Sequence, residues 1–76
     1  MDINIKTFAE YFSEKYNRIY DNHDNVERYE ENITRFDDFI KENSKFVSEF
    51  ANFRGDFISS DREASAFMFA LDRITA

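Results

Sequence analysis

Five carboxylates, Glu27, Glu30, Glu31, Asp38 and Glu42, recur at helical spacing through the middle of this 76-residue chain. At 100° per residue Glu27, Glu31, Asp38 and Glu42 share one face, with Glu30 beside them. A stripe of this kind does electrostatic rather than covalent chemistry. It can imitate a phosphate backbone, occupy a basic groove, or steer a basic partner. A merely solvated helix face carries the same pattern. The surrounding segment from Asp21 to Glu42 holds almost all of the net charge of -6.

A second cluster has the opposite sign. Tyr11, Lys15 and Arg18 lie along one flank of the first helical stretch. An aromatic ring beside two cations suits a stacked base and a phosphate, so the alternative reading is an oligomeric small-molecule binder with this flank as a nucleotide pocket across its subunit interface. Ordinary surface pairing, such as Glu14 with Arg18, explains the same residues without a ligand.

Covalent and metal chemistry find no residues to stand on. Asp37 and Asp38 are adjacent carboxylates, but neighbours on a helix point about 100° apart. There is no Glu-x-x-His pair, calcium loop or glycine-rich phosphate loop. With no cysteine and one histidine, thiolate and imidazole-rich zinc sites are excluded. His23 falls in an expected interhelical turn, where capping or exposure suits it. Ser13, Ser48 and Ser65 have no histidine at helical spacing to act as base. The expectation is a non-enzymatic protein without a cofactor.

The negative charge argues against nucleic acid or an anionic bilayer as a direct ligand. No run of about 18 apolar residues exists to span a membrane. The beginning Met1-Asp2-Ile3-Asn4 lacks the basic stretch and apolar core of a signal peptide. A cytoplasmic location is therefore expected. The residue choice, rich in Phe, Tyr, Ile, Asn and Lys, is what AT-rich coding produces, as in phage and plasmid genes.

Three or four helices must position these groups within one domain. Ile5, Phe8, Ala9, Phe12, Tyr16 and Ile19 recur at three- and four-residue steps, with Asn4 as a cap and Ile3 and Phe8 as a staple. A turn is expected over 21–25. Asp24 and Glu27 then open a second helix, whose apolar face runs from Val26 through Tyr29, Ile33, Phe36 and Ile40. The phase continues through Phe46, Val47, Phe50 and Phe53, which favours one helix of roughly 45 Å to Arg54. Asn43-Ser44 is the place where it would break. Gly55 supplies a C-terminal cap, and Ser60 with Glu63 forms a capping box for the last helix. The expected fold is an all-α bundle, with the first and last helices antiparallel on a long central one.

Ten phenylalanines against one leucine, Leu71, dominate the apolar inventory. The last helix is apolar nearly all round: Ala64, Phe67, Met68, Leu71 and Ile74 on one side, Phe69 opposite, Ala66 and Ala70 between. That much ring surface suggests burial at a subunit interface, formed by Phe46, Phe50, Phe53, Phe67, Phe69 and Ala70 of a homodimer. Together these features point to a small acidic inhibitor or adaptor that engages a protein with a basic surface. Its size, charge and residue choice suit a phage- or plasmid-encoded anti-host or anti-defence factor. A purely structural oligomerisation module is the third reading.

Overall fold

A computed structural model of the chain describes residues 2–18 and 26–76, apart from the side chains of Val26 and Glu27. The turn expected over 21–25, His23, Ile19 and the Asp24–Glu27 cap lie outside the described residues or side chains. Four helices account for most of the rest: α1 (Ile5–Arg18), α2 (Val26–Glu42), α3 (Ser44–Arg54) and α4 (Asp61–Thr75). Among the described residues there is no strand. The fold is the small all-α bundle that the periodicity predicts.

Local chemistry explains most of the helix ends. Asn4 Oδ1 accepts from the Thr7 amide at 3.0 Å, satisfying one orphan donor of α1. Gly55 takes φ 81° after α3, where both its own amide and that of Asp56 donate to the Ala51 carbonyl. This left-handed conformation is one that a Cβ disfavours. Ser60 Oγ accepts from the Glu63 amide at 3.2 Å, and Glu63 Oε1 receives the Ser60 hydroxyl at 3.0 Å and the Ser59 amide at 3.3 Å. The capping box is present, with its return bond made one residue earlier than the usual pattern.

The long central helix does not form. Asn43, at φ -131° and ψ 38°, leaves the helical region and separates α2 from α3. Its amide N–H and its side-chain Nδ2 both donate to the Phe39 carbonyl, at 2.9 and 3.2 Å. Asn43 thereby closes α2 with a bond the helix already makes and doubles it from the side chain, the competition that makes Asn a poor helix interior residue. Its own carbonyl accepts from Val47 at once, so α3 begins with a single residue of interruption.

The break redirects aromatic rings rather than wasting them. Phe67, on α4, is fully buried, and five ring centroids surround it: Phe8 at 4.8 Å, Phe36 at 5.2 Å, Phe39 and Phe50 at 5.6 Å, and Phe46 at 5.9 Å. Most meet it edge to face, the arrangement a ring quadrupole favours. Phe8 in turn holds Phe46 at 5.2 Å and Phe50 at 5.1 Å. These rings come from all four helices, so Phe67 is the point at which the bundle closes.

The central element is accordingly α4, not α2. Helices α1 and α2 both pack along α4, while α3 lies against α1 and α2 and reaches α4 through its side chains. This accounts for an apolar circumference without a second copy. Ala64, Ala66, Phe67, Met68, Ala70 and Leu71 are all buried by the chain itself. The expected homodimer interface is corrected on this point: Phe46, Phe50, Phe67 and Ala70 are interior residues of one copy and have no surface to offer another. The radius of gyration of 11.5 Å agrees with the value of about 11.4 Å for a closed domain of this length.

A buried ion pair fastens the α3–α4 connection. Arg54 Nη1 lies 2.7 Å from Glu63 Oε2, and the guanidinium rests 4.9 Å from the Phe12 centroid and 5.7 Å from that of Phe50. At the other end of α1, Arg62 Nε donates to the Tyr16 carbonyl at 2.9 Å, satisfying an acceptor in the last turn of that helix.

Truncating the central ring should be disproportionately costly. Phe67→Ala is expected to lose about 3–5 kcal/mol, against a total of about 4–11 kcal/mol for a chain this long. The control Phe53→Ala removes a half-exposed ring and should cost under about 1 kcal/mol. Urea titrations followed by circular dichroism measure both, and equal losses would contradict the hub arrangement.

Candidate functional site

Helix α2 sorts its charges by sign. Arg35 reaches across to α4 and donates through Nη1 and Nη2 to the two oxygens of Asp72, each at 2.8 Å. The same Nη1 also donates to Oδ1 of the buried Asn32 at 2.8 Å. Arg28 joins the pair with Nη2 3.7 Å from Asp72 Oδ2. Both arginines of the helix are thus drawn toward one carboxylate on α4.

What remains on the outer side is acidic. Glu30, Glu31, Asp38 and Glu42 of the expected stripe are exposed, as is Asp37, and none of them forms an ion pair among the described residues. The side chain of Glu27 lies outside the described residues. Lys41 is the cation left on this side of α2, and it is exposed too. The stripe therefore keeps most of its negative charge, because both arginines of α2 are engaged with Asp72.

The basic cluster also assembles. Tyr11, Lys15 and Arg18 line one groove of about 230 Å³ between α1 and α4, whose other wall is Phe69, Ala70 and Arg73. Lys15 Nζ sits 4.3 Å from the Phe69 centroid, and the Arg73 guanidinium 4.1 Å from that of Tyr11. Glu14 is the carboxylate of the groove, 3.2 Å from Arg73 and 3.5 Å from Arg18. Burial lowers the Lys15 ammonium below its ordinary value, and the neighbouring Arg18 and Arg28 charges press it the same way, with Glu14 opposing them.

Phe69 was expected at a subunit interface. It is instead half-buried and flanked by Lys15 and by Arg28, whose guanidinium lies 5.4 Å from the ring centroid. Of the expected interface set, Phe53 is the residue that keeps an exposed surface. Phe57 joins it as an exposed ring four residues on, across the Gly55 turn; at 70% exposure it is the most open of the large apolar side chains described.

Sequence reasoning missed Arg73 and gave Glu14 only a surface role. Arg73 stands four residues after Phe69 and so shares its face of α4, a usable signal. Which flank of α1 that face would meet depends on helix packing, which the spacing does not encode. For Asn32, whose amide is buried within an otherwise apolar face, no comparable signal exists.

Other candidates stay apart. Ser13 and Ser48 are exposed on different helices, and Ser65 is fully buried with no hydrogen-bond partner for its hydroxyl. Among the described residues no group of three or more His, Asp or Glu side chains converges as a metal site. No described helix is long and apolar enough to cross a membrane. Comparison with protein-family models, curated proteins and solved structures gives no significant match.

Two carboxylates in the framework carry an acid dependence. Hydrogen bonds from Arg35 hold Asp72 below the usual range, outweighing the upward push of burial. For Glu63 burial pushes upward most strongly, but bonds from Arg54, Ser60 and Ser59 together prevail and the net shift is downward. A carboxylate depressed in the folded state stabilises above its unfolded pKa, near about 4, and loses that contribution as protons bind the unfolded chain more readily. Urea midpoints should therefore fall as pH drops from about 5 toward 3. The double variant Glu63→Gln, Asp72→Asn should show a lower but flatter profile, and an equally steep one would remove these two groups as the cause.

Proposed function

We propose that the protein is a non-enzymatic interaction module that engages a basic site on a larger macromolecule through the outer face of α2. The observation carrying this reading is the charge sorting around Asp72. Arg28 and Arg35 turn to α4, while Glu30, Glu31, Asp37, Asp38 and Glu42 stand exposed without ion-pair partners among the described residues. A face of predominantly one sign raises encounter rates with a complementary surface and disfavours acidic competitors. The face belongs to a helix fixed at several points along α4, so its carboxylates are presented on a rigid element rather than a loop.

The exposed rings of Phe53 and Phe57 support a contact that extends beyond charge. Aromatic side chains are over-represented among residues that dominate binding energy, and these two offer large apolar area outside the closed core. An inhibitor or adaptor role follows from size and surface: the chain has area to cover a site but little room to enclose a substrate. The acidic, compact character also suits an anti-host or anti-defence factor of phage or plasmid origin.

Neutralising the face tests the proposal. Glu31→Gln, Asp38→Asn and Glu42→Gln together remove three negative charges from a net of -6, leaving -3 and so preserving solubility. Affinity capture from host lysate, compared between wild type and variant, should recover a basic protein with the wild type. Its association rate should fall at least about tenfold in the variant and on raising salt. Identical capture and identical salt dependence would take the α2 face out of the function.

A further inference from the structure

The groove between α1 and α4 is positively charged in an acidic protein. Lys15, Arg18 and Arg73 line it against a single carboxylate, Glu14, leaving a local surplus of two positive charges in a protein of net charge -6. Glu14 is shared between Arg18 and Arg73, at 3.5 and 3.2 Å. Lys15 has no carboxylate partner among the described residues; its ammonium is held over the Phe69 ring at 4.3 Å.

Holding like charges together beside apolar rings costs free energy unless an anion joins them. The Lys15 ammonium, lowered first by burial and then by the Arg18 and Arg28 charges, is a mark of that cost. A second such mark is the arrangement of Glu14, one carboxylate serving two guanidinium groups while the lysine is left over. The arrangement lacks two negative charges on one compact group.

We propose that this groove binds the terminal phosphate of a small phosphorylated molecule, with a nucleoside diphosphate as the representative ligand. A phosphate monoester carries about -1.5 to -2 charges at neutral pH, which matches the surplus. Guanidinium groups pair with phosphate oxygens through parallel hydrogen bonds, and lysine adds a point charge. At about 230 Å³ the groove is smaller than pockets that enclose drug-sized ligands, which run from about 300 Å³ upward. It therefore takes the phosphate end of the molecule and leaves the remainder outside the groove. Glu14 is the internal competitor that the phosphate displaces from Arg18 and Arg73. This site is separate from the α2 face, and it stands or falls independently of a protein partner.

Isothermal titration calorimetry at constant ionic strength tests the proposal with two probes, ADP and pyrophosphate. Both should bind the wild type, and tighter binding of ADP would assign part of the affinity to the nucleoside. Lys15→Gln should weaken binding about tenfold or more, as loss of one charge-assisted contact does. Arg18→Gln, at a largely exposed side chain, should do the same and serves if the lysine variant folds poorly. Glu14→Gln should tighten binding several-fold, an outcome that a merely structural role for Glu14 would not produce. The proposal is overturned if neither probe binds at concentrations of about 10 mM, or if both cation variants bind as the wild type does.

Discussion

The aromatic contacts around Phe67 are the constraint on which this structure rests. Five rings from α1, α2 and α3 converge on one side chain of α4, mostly edge to face. Each favourable pair adds about 0.5–1.5 kcal/mol beyond the area it buries. For a chain with no cysteine, such contacts take the place that disulfides fill in other small domains. Both candidate surfaces then depend on α4, with Asp72 and Arg73 in its last turn and α1 and α2 on its flanks.

From that fixed helix the surface charges acquire their order. Asp72 attracts Arg35 and Arg28 and so strips the outer face of α2 of its neutralising cations. Phe69, one helical turn from Arg73, takes Lys15 and Arg28 onto its ring and brings the α1 cations to a single groove. Acidic and basic regions separate because two neighbouring residues of α4 select the same kind of partner for different reasons. A molecule of this size thereby presents two surfaces of opposite charge, an extended acidic one on α2 and a small basic one between α1 and α4.

Much of this was legible in the sequence, and the failures have a common cause. The caps at Asn4, Gly55 and Ser60–Glu63 depend on residues within four positions of one another, so spacing alone revealed them. The break at Asn43 was visible as a polar residue on an apolar face, yet periodicity carried on past it. What decided it was a side-chain bond to the Phe39 carbonyl, which a periodicity count does not weigh. The apolar circumference of α4 was also read correctly as deep burial. Its covering was assigned to a second copy because an apolar helix does not announce whether it is a flank or a centre. The Tyr11, Lys15 and Arg18 cluster emerged from one helix, whereas Arg73 on the facing wall required knowing which helices meet.

The segment between Gly55 and Ser60 ties these observations together. It is the sole covalent route from the first three helices to the one that carries Phe67, and it exposes the ring of Phe57. An uncovered aromatic on a short connection is what chymotrypsin-like proteases seek. One cleavage there would leave α4 held to the other three helices by non-covalent contacts alone. A molecule seated over Phe57 would shield this connection from such cleavage.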